Sequence, residues 1–153
     1  MSDLNQLLAQ HAFFAGLEPH LIDRVADMAT VAEFPAGTWI ARRGTEAGTF
    51  HAVIEGRAGI ELASAGQPAL VVATVHPGEI VGWSWYIEPH RWQFDVVALD
   101  PLRTVAIDGG LLRVACVDDH ELGYHIGRRL ARVVASRLDA TRHQLMDVYG
   151  HAR

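Results

Sequence analysis

The feature that most constrains this chain is its glycine punctuation between Gly37 and Gly82. Glycines at 37, 44, 48, 56, 59, 66, 78 and 82 interrupt short runs rich in Val, Ile, Thr, Phe and Trp. The runs are F-P-A-G-T-W-I, F-H-A-V-I-E-G-R-A-G-I-E-L, A-L-V-V-A-T-V, F-D-V-V-A-L and R-T-V-A-I. The second is a strand pair, or one long strand broken near Gly56. Turn signals at this spacing predict an all-β sandwich or barrel over about residues 32–108. No helical period separates the runs, which disfavours a parallel α/β sheet.

Helical periods flank the barrel. Residues 3–10 and 18–30 read as two short helices, with Leu4, Leu7 and Leu8 on one face and Leu21, Ile22, Val25 and Met28 on another. Phe13 and Phe14 between them read as core anchors. After the break at Asp108-Gly109-Gly110, L-L-R-V-A-C-V reads as a short helix with Asp108 as N-cap. A long amphipathic helix follows over about 118–149. Ile126, Leu130, Val134, Leu138, Thr141 and Leu145 step along it by three or four. Thirty such residues reach about 45 Å, more than one small barrel covers. The distal apolar stripe therefore calls for a partner, and the same helix of a second copy is the economical one. A homodimer of one domain, residues 1–153, is expected.

Composition narrows the function. All 13 basic residues are arginine, against 18 acidic ones, for a net charge of −5. That balance argues against a nucleic-acid footprint over the whole surface. The single cysteine, Cys116, excludes an intrachain disulfide and an all-cysteine cluster, and reads as buried filler. The N-terminus lacks the basic start of a signal peptide, and no stretch has the length of a spanning helix. A cytoplasmic location without membrane attachment is expected. Nine histidines (11, 20, 51, 76, 90, 120, 125, 143 and 151) include no H-x-x-x-H pair, so solvated or capping roles are expected and no metal site. The serines are few, with Ser64 in a turn and Ser136 on the long helix. G-W-S-W lacks the second glycine of a nucleophile elbow, so the sequence points away from an enzyme.

Pro77 to Asp100 carries the candidate site. P-G-E-I-V-G leads to Gly82, a compact aromatic, helix-like segment follows, Pro89 closes it, and Arg91 stands before a strand. Free N–H groups at a helix start and a guanidinium fork together suit an anionic group. His90 beside Arg91 adds a donor.

The ordered motifs F-P-A-G-T-W-I, G-T-E-A-G-T-F-H-A-V-I-E-G-R-A-G-I and H-P-G-E-I-V-G resemble the cyclic nucleotide-binding domain of the catabolite-activator superfamily over about residues 12–149. The resemblance implies an eight-stranded double-Greek-key jelly roll, a ligand cavity, and a long C-terminal dimerisation helix. It places Gly82, Trp83, Ser84, Trp85, His90, Arg91 and Trp92 on the family's phosphate-binding cassette. Gly82 matches the cassette glycine. Trp83 stands where the family has the glutamate that holds the ribose hydroxyl, and an indole offers one donor in place of that acceptor. Without a gap Trp92 falls on the cassette arginine; with a one-residue shortening Arg91 does. The chain ends where family regulators continue into a DNA-reading helix-turn-helix, so direct sequence-specific DNA binding is not expected.

The reading reached is a cyclic nucleotide-binding-like sensor with an altered cassette, signalling through its dimer helix to a downstream protein that the sequence does not name. Its ligand class is a cyclic nucleotide or another small anion. The alternatives are a ligand-free dimeric scaffold with a tryptophan-filled pocket, and a haem or metal sensor using histidines.

Overall fold

The structure, a computed structural model, describes residues 2–63 and 65–151. Ser64, Arg153 and the side chain of His151 lie outside the described residues. The chain divides into two compact units, Met1–Ala115 and Cys116–Arg153.

The first unit opens with α1, Asp3–Gln10, capped by the Ser2 hydroxyl, which accepts from the Asn5 N–H at 3.2 Å. A 3-10 turn, Ala12–Phe14, and α2, Pro19–Ala26, follow. Proline at the first turn of α2 costs no hydrogen bond, because that N–H would have no partner. The expected helix over 18–30 stops at Ala26. The next run, A-T-V-A-E-F, forms β1, Ala29–Phe34, instead. Antiparallel pairing with the strand of residues 102–108 along its whole length, from Ala29 opposite Ile107 to Phe34 opposite Leu102, outweighs the helical spacing of Val25 and Met28. The barrel therefore begins at Ala29, before the expected boundary at 32.

Seven strands complete it: β2 Trp39–Ala41, β3 Thr49–Glu55, β4 Ala58–Leu62, β5 Leu70–Val75, β6 Ile80–Val81, β7 Asp95–Ala98 and β8 Leu102–Asp108. They form two antiparallel four-stranded sheets, ordered β1-β8-β3-β6 and β2-β7-β4-β5. Each sheet interleaves strands from both halves of the chain, the order of a jelly roll. The run broken near Gly56 is thus two strands in opposite sheets. Gly56 has φ +82, and a Cβ there would lie 2.3 Å from the Pro101 carbonyl oxygen, so only glycine makes this corner. Arg57 pins the corner by pairing with Asp100 at 2.8 Å.

Alternation along β3 sends successive side chains to opposite faces. Phe50 meets the rings of Phe13 at 5.4 Å and Phe14 at 6.2 Å. His51 meets Phe34 at 5.6 Å and the Thr104 hydroxyl at 3.0 Å. The expected anchors, Phe13 and Phe14, are buried. So is His11, which accepts from the Phe13 N–H on Nδ1 and donates from Nε2 to the Val53 carbonyl at 3.0 Å.

The third helix, α3, runs Gly109–Asp118, and Asp108 caps it as expected, Oδ1 accepting from the Leu111 N–H at 2.9 Å. In the second unit α4 spans His120–His151, with Asp119 accepting from the Leu122 N–H at 3.2 Å. Leu122, Ile126 and Leu130 are buried, whereas Val134, Leu138, Thr141, Leu145, Met146, Val148 and Tyr149 are exposed. Among the described residues no helix is long and apolar enough to cross a membrane.

Candidate functional site

The Pro77–Asp100 stretch enters the barrel at β6, which pairs with β3 through Val81 opposite His51. Gly82 follows with φ +69, a left-handed conformation that favours glycine. The expected short helix after it is a run of turns. The Tyr86 and Ile87 N–H groups both donate to the Trp83 carbonyl, at 2.9 and 3.2 Å, and the His90 N–H donates to Ile87. No longer helix can grow, because Pro89 lacks an N–H and disfavours helical backbone in the residue before it. His90 then takes φ +58.

Residues 90–92 lie against the loop between β2 and β3. Ala47 N–H donates to the His90 carbonyl at 2.8 Å, Trp92 N–H to Thr45 at 3.0 Å, and Gly44 N–H to Trp92 at 2.8 Å. This pairing sends neighbouring side chains opposite ways. Arg91 is exposed, and its Nη1 donates to the Gly44 carbonyl at 2.9 Å. Trp92 is buried with its ring on Gly82, where an added Cβ would lie 2.6 Å from Cζ3. Trp85 is fully buried, stacked on Phe50 with ring centres 5.1 Å apart, and its Nε1 has no hydrogen-bond partner among the described residues. Trp83 and Ser84 are half-buried. The structure thus brings the Trp92 ring onto Gly82 and gives the Arg91 guanidinium the Gly44 carbonyl as its partner.

Trp92 also walls a cavity of about 270 Å³, shared with Trp39, Arg42, Thr45, Thr49 and His51. The Arg42 guanidinium stands 4.2 Å over the Trp39 ring and 3.5 Å from Asp95. His51 is neutral there: burial lowers its pKa to about 4. Sequence reasoning missed Trp39, Thr45, Thr49 and His51 as cavity residues. The alternation of β3 carried the signal for His51, since Phe50 packing toward the helices turns His51 the other way. Among the described residues no three His, Cys, Asp or Glu side chains gather as metal ligands would.

A jelly roll with N-terminal helices, a turn cassette after a left-handed glycine and a long helix in the second unit is the fold of a regulatory sensor domain. Residues 31–119 match the model of the cyclic nucleotide-binding domain, and the chain belongs to that family. It is 23% identical over 145 residues to the CRP-like cAMP-activated global transcriptional regulator of Mycobacterium tuberculosis, covering 95% of this chain and 63% of that protein. The chain therefore spans less than two thirds of that relative. A Geobacter metallireducens structure assigned to cyclic nucleotide binding superposes with TM-score 0.79 at 28% identity, over 90% of this chain and 99% of that one. The sensor domain of the transcriptional regulator DNR from Pseudomonas aeruginosa has the same fold, with TM-score 0.70 at 16% identity, over 88% and 91% of the two chains. The family is regulatory in character.

Proposed function

We propose that this chain is a ligand-sensing regulatory domain whose cassette no longer suits a cyclic nucleotide. The observation that carries the proposal is the Trp92 ring on Gly82, in the space a phosphate needs to approach the glycine backbone. Trp83, in the place where the resemblance puts a ribose-holding glutamate, removes the hydroxyl acceptor as well. Ser84 and Trp85 lie in the same turn, and Arg91 has turned away to Gly44. The cavity beyond Trp92 offers two indole planes, a neutral imidazole and two threonine hydroxyls. It suits a small planar molecule with a polar edge. The ligand state passes to a downstream protein through the homodimer that the long helix forms.

A second reading, a ligand-free dimeric scaffold, draws on the same burial: Trp85 is 0% and Trp92 7% exposed. Two measurements decide. Thermal melting with millimolar cyclic AMP or cyclic GMP is expected to give no shift, and a rise of several degrees would overturn the altered cassette. Planar heteroaromatic fragments are expected to move the indole N–H resonances of Trp39 and Trp92 saturably. Silence across such a set would defeat the sensor and leave the scaffold.

A further inference from the structure

We propose that the face of α4 around Tyr124, Arg128 and Arg132 is a docking surface for a short acidic peptide segment of a downstream protein. This surface belongs to the second unit, and its role does not depend on a ligand in the barrel. Leu122, Ile126 and Leu130 define the buried side of α4. At about 100° per residue, Tyr124, Arg128, Ala131 and Ala135 fall on the opposite side, with Arg132 at its flank. All five are exposed. The alanines end at Cβ, so nothing on that side hinders approach to the two guanidinium groups. The apolar stripe that begins at Val134 runs about a third of a turn around from Arg128, so a helix pair formed there leaves this face open.

Positive charge gathers on this face without a counter-charge on its own helix. Side chains three and four residues apart are neighbours on a helix. For Arg128 these are Tyr124, His125, Ala131 and Arg132; for Arg132 they are Arg128, Arg129, Ala135 and Ser136. Neither set holds a carboxylate, and the second holds two more guanidinium groups. The nearest carboxylates on α4, Glu121 and Asp139, stand about two turns from Arg128 and Arg132, and Asp139 lies 3.8 Å from His143. Among the described residues no ion pair engages Arg128 or Arg132. Arg129 registers the crowding: burial first, then Arg132 and Arg128, lowers its pKa. Like charges at these spacings weaken a helix, and a carboxylate-bearing partner reverses that effect. The Tyr124 hydroxyl accepts from Arg128 Nη1 at 2.9 Å, which orients the guanidinium and leaves its other donors for carboxylate oxygens. Charge complementarity also limits the partner's extent. Residues 120–137 hold four arginines against Glu121, in a chain of net charge −5, so the remainder is more acidic than the whole. A nucleic acid or a charged bilayer would overrun the patch and meet that acidic remainder. A short acidic peptide covers the patch alone.

The test is fluorescence anisotropy of a labelled hexaglutamate peptide titrated with the whole chain, beside a labelled hexaglutamine peptide. Saturable binding of the first alone is expected, weakening as salt rises. Arg128→Gln combined with Arg132→Gln should weaken it about tenfold, and both positions are exposed, so the fold is kept. Tyr124→Phe, which keeps the ring and releases the guanidinium, should weaken it about threefold. Arg43→Gln combined with Arg142→Gln removes the same charge at other exposed positions and should leave binding unchanged. A double variant at 128 and 132 that binds like the parent, or a control pair that weakens binding equally, would overturn the surface. Tighter saturable binding of a duplex oligonucleotide or of phosphatidylserine vesicles than of the peptide would overturn the choice of partner. Release of the peptide as protein concentration rises would assign this face to a second copy and overturn it as well.

Discussion

His51 shows how much one side chain is bound up with the barrel. It is 6% exposed, its Nδ1 lies 3.0 Å from the Thr104 hydroxyl, and burial holds its pKa at about 4. The unfolded chain takes up a proton near the ordinary histidine value of about 6.5, and the folded one does not until about 4. Stability is therefore full above the upper value and falls as pH drops through that window. The loss attributable to His51 at the lower end is about 2–4 kcal/mol. His11, lowered in the same direction by burial, adds to the trend. Carboxylates also destabilise the fold in acid, so the difference from a His51→Gln protein is the informative quantity. Urea unfolding from about pH 7 to about pH 4 should show the parent losing that much more than the variant. Parallel curves would mean that His51 is not held neutral by the fold. Nothing in residue type marked this histidine among nine. Its burial comes from the pairing of β3 with β8.

At the scale of elements, what was legible was periodic. Leu4, Leu7 and Leu8 gave α1, glycine-bounded β-branched runs gave most strands, and the three- and four-residue steps from Ile126 gave α4. The boundary between α2 and β1 was not legible, because Val25 and Met28 fit a helix and the pairing of Ala29 with Ile107 is nowhere in the local sequence. The same holds for residues 83–88, where aromatic side chains suggested a helix that the following proline keeps to one turn. The choice between Arg91 and Trp92 depended on the register against residues 44–47, a contact between segments far apart in sequence. Chemically specific caps are the exception, being local and readable. Asp108 was expected to cap α3 and does so at 2.9 Å. Asp108→Ala should cost about 1 kcal/mol, whereas Asp108→Asn, which keeps an acceptor, should cost little. Equal losses for the two variants in chemical denaturation would show that the cap bond contributes nothing.

At the scale of the molecule, the expected dimer stripe divides into two parts with different physics. Ile126 and Leu130 are 0% and 3% exposed in the single chain, so their burial needs no second copy. Val134, Leu138 and Leu145 are 39%, 50% and 55% exposed, and Thr141 is exposed with its hydroxyl bonded to the Arg137 carbonyl. An apolar run of this length on one helix leaves water in contact with surface that a two-fold partner would cover. We propose that the homodimer forms through these distal positions. Val134→Glu combined with Leu138→Glu should then give folded monomers in sedimentation velocity, because charge enters the seam and leaves the buried residues intact. Leu130→Glu should behave differently, losing the fold by burying an unpaired carboxylate. The parent's melting temperature should rise with protein concentration, as it does when association stabilises the folded state, and the double variant's should not. An unchanged sedimentation coefficient in the double variant would place the partner surface elsewhere, and the long helix would then need another reason for its exposed stripe.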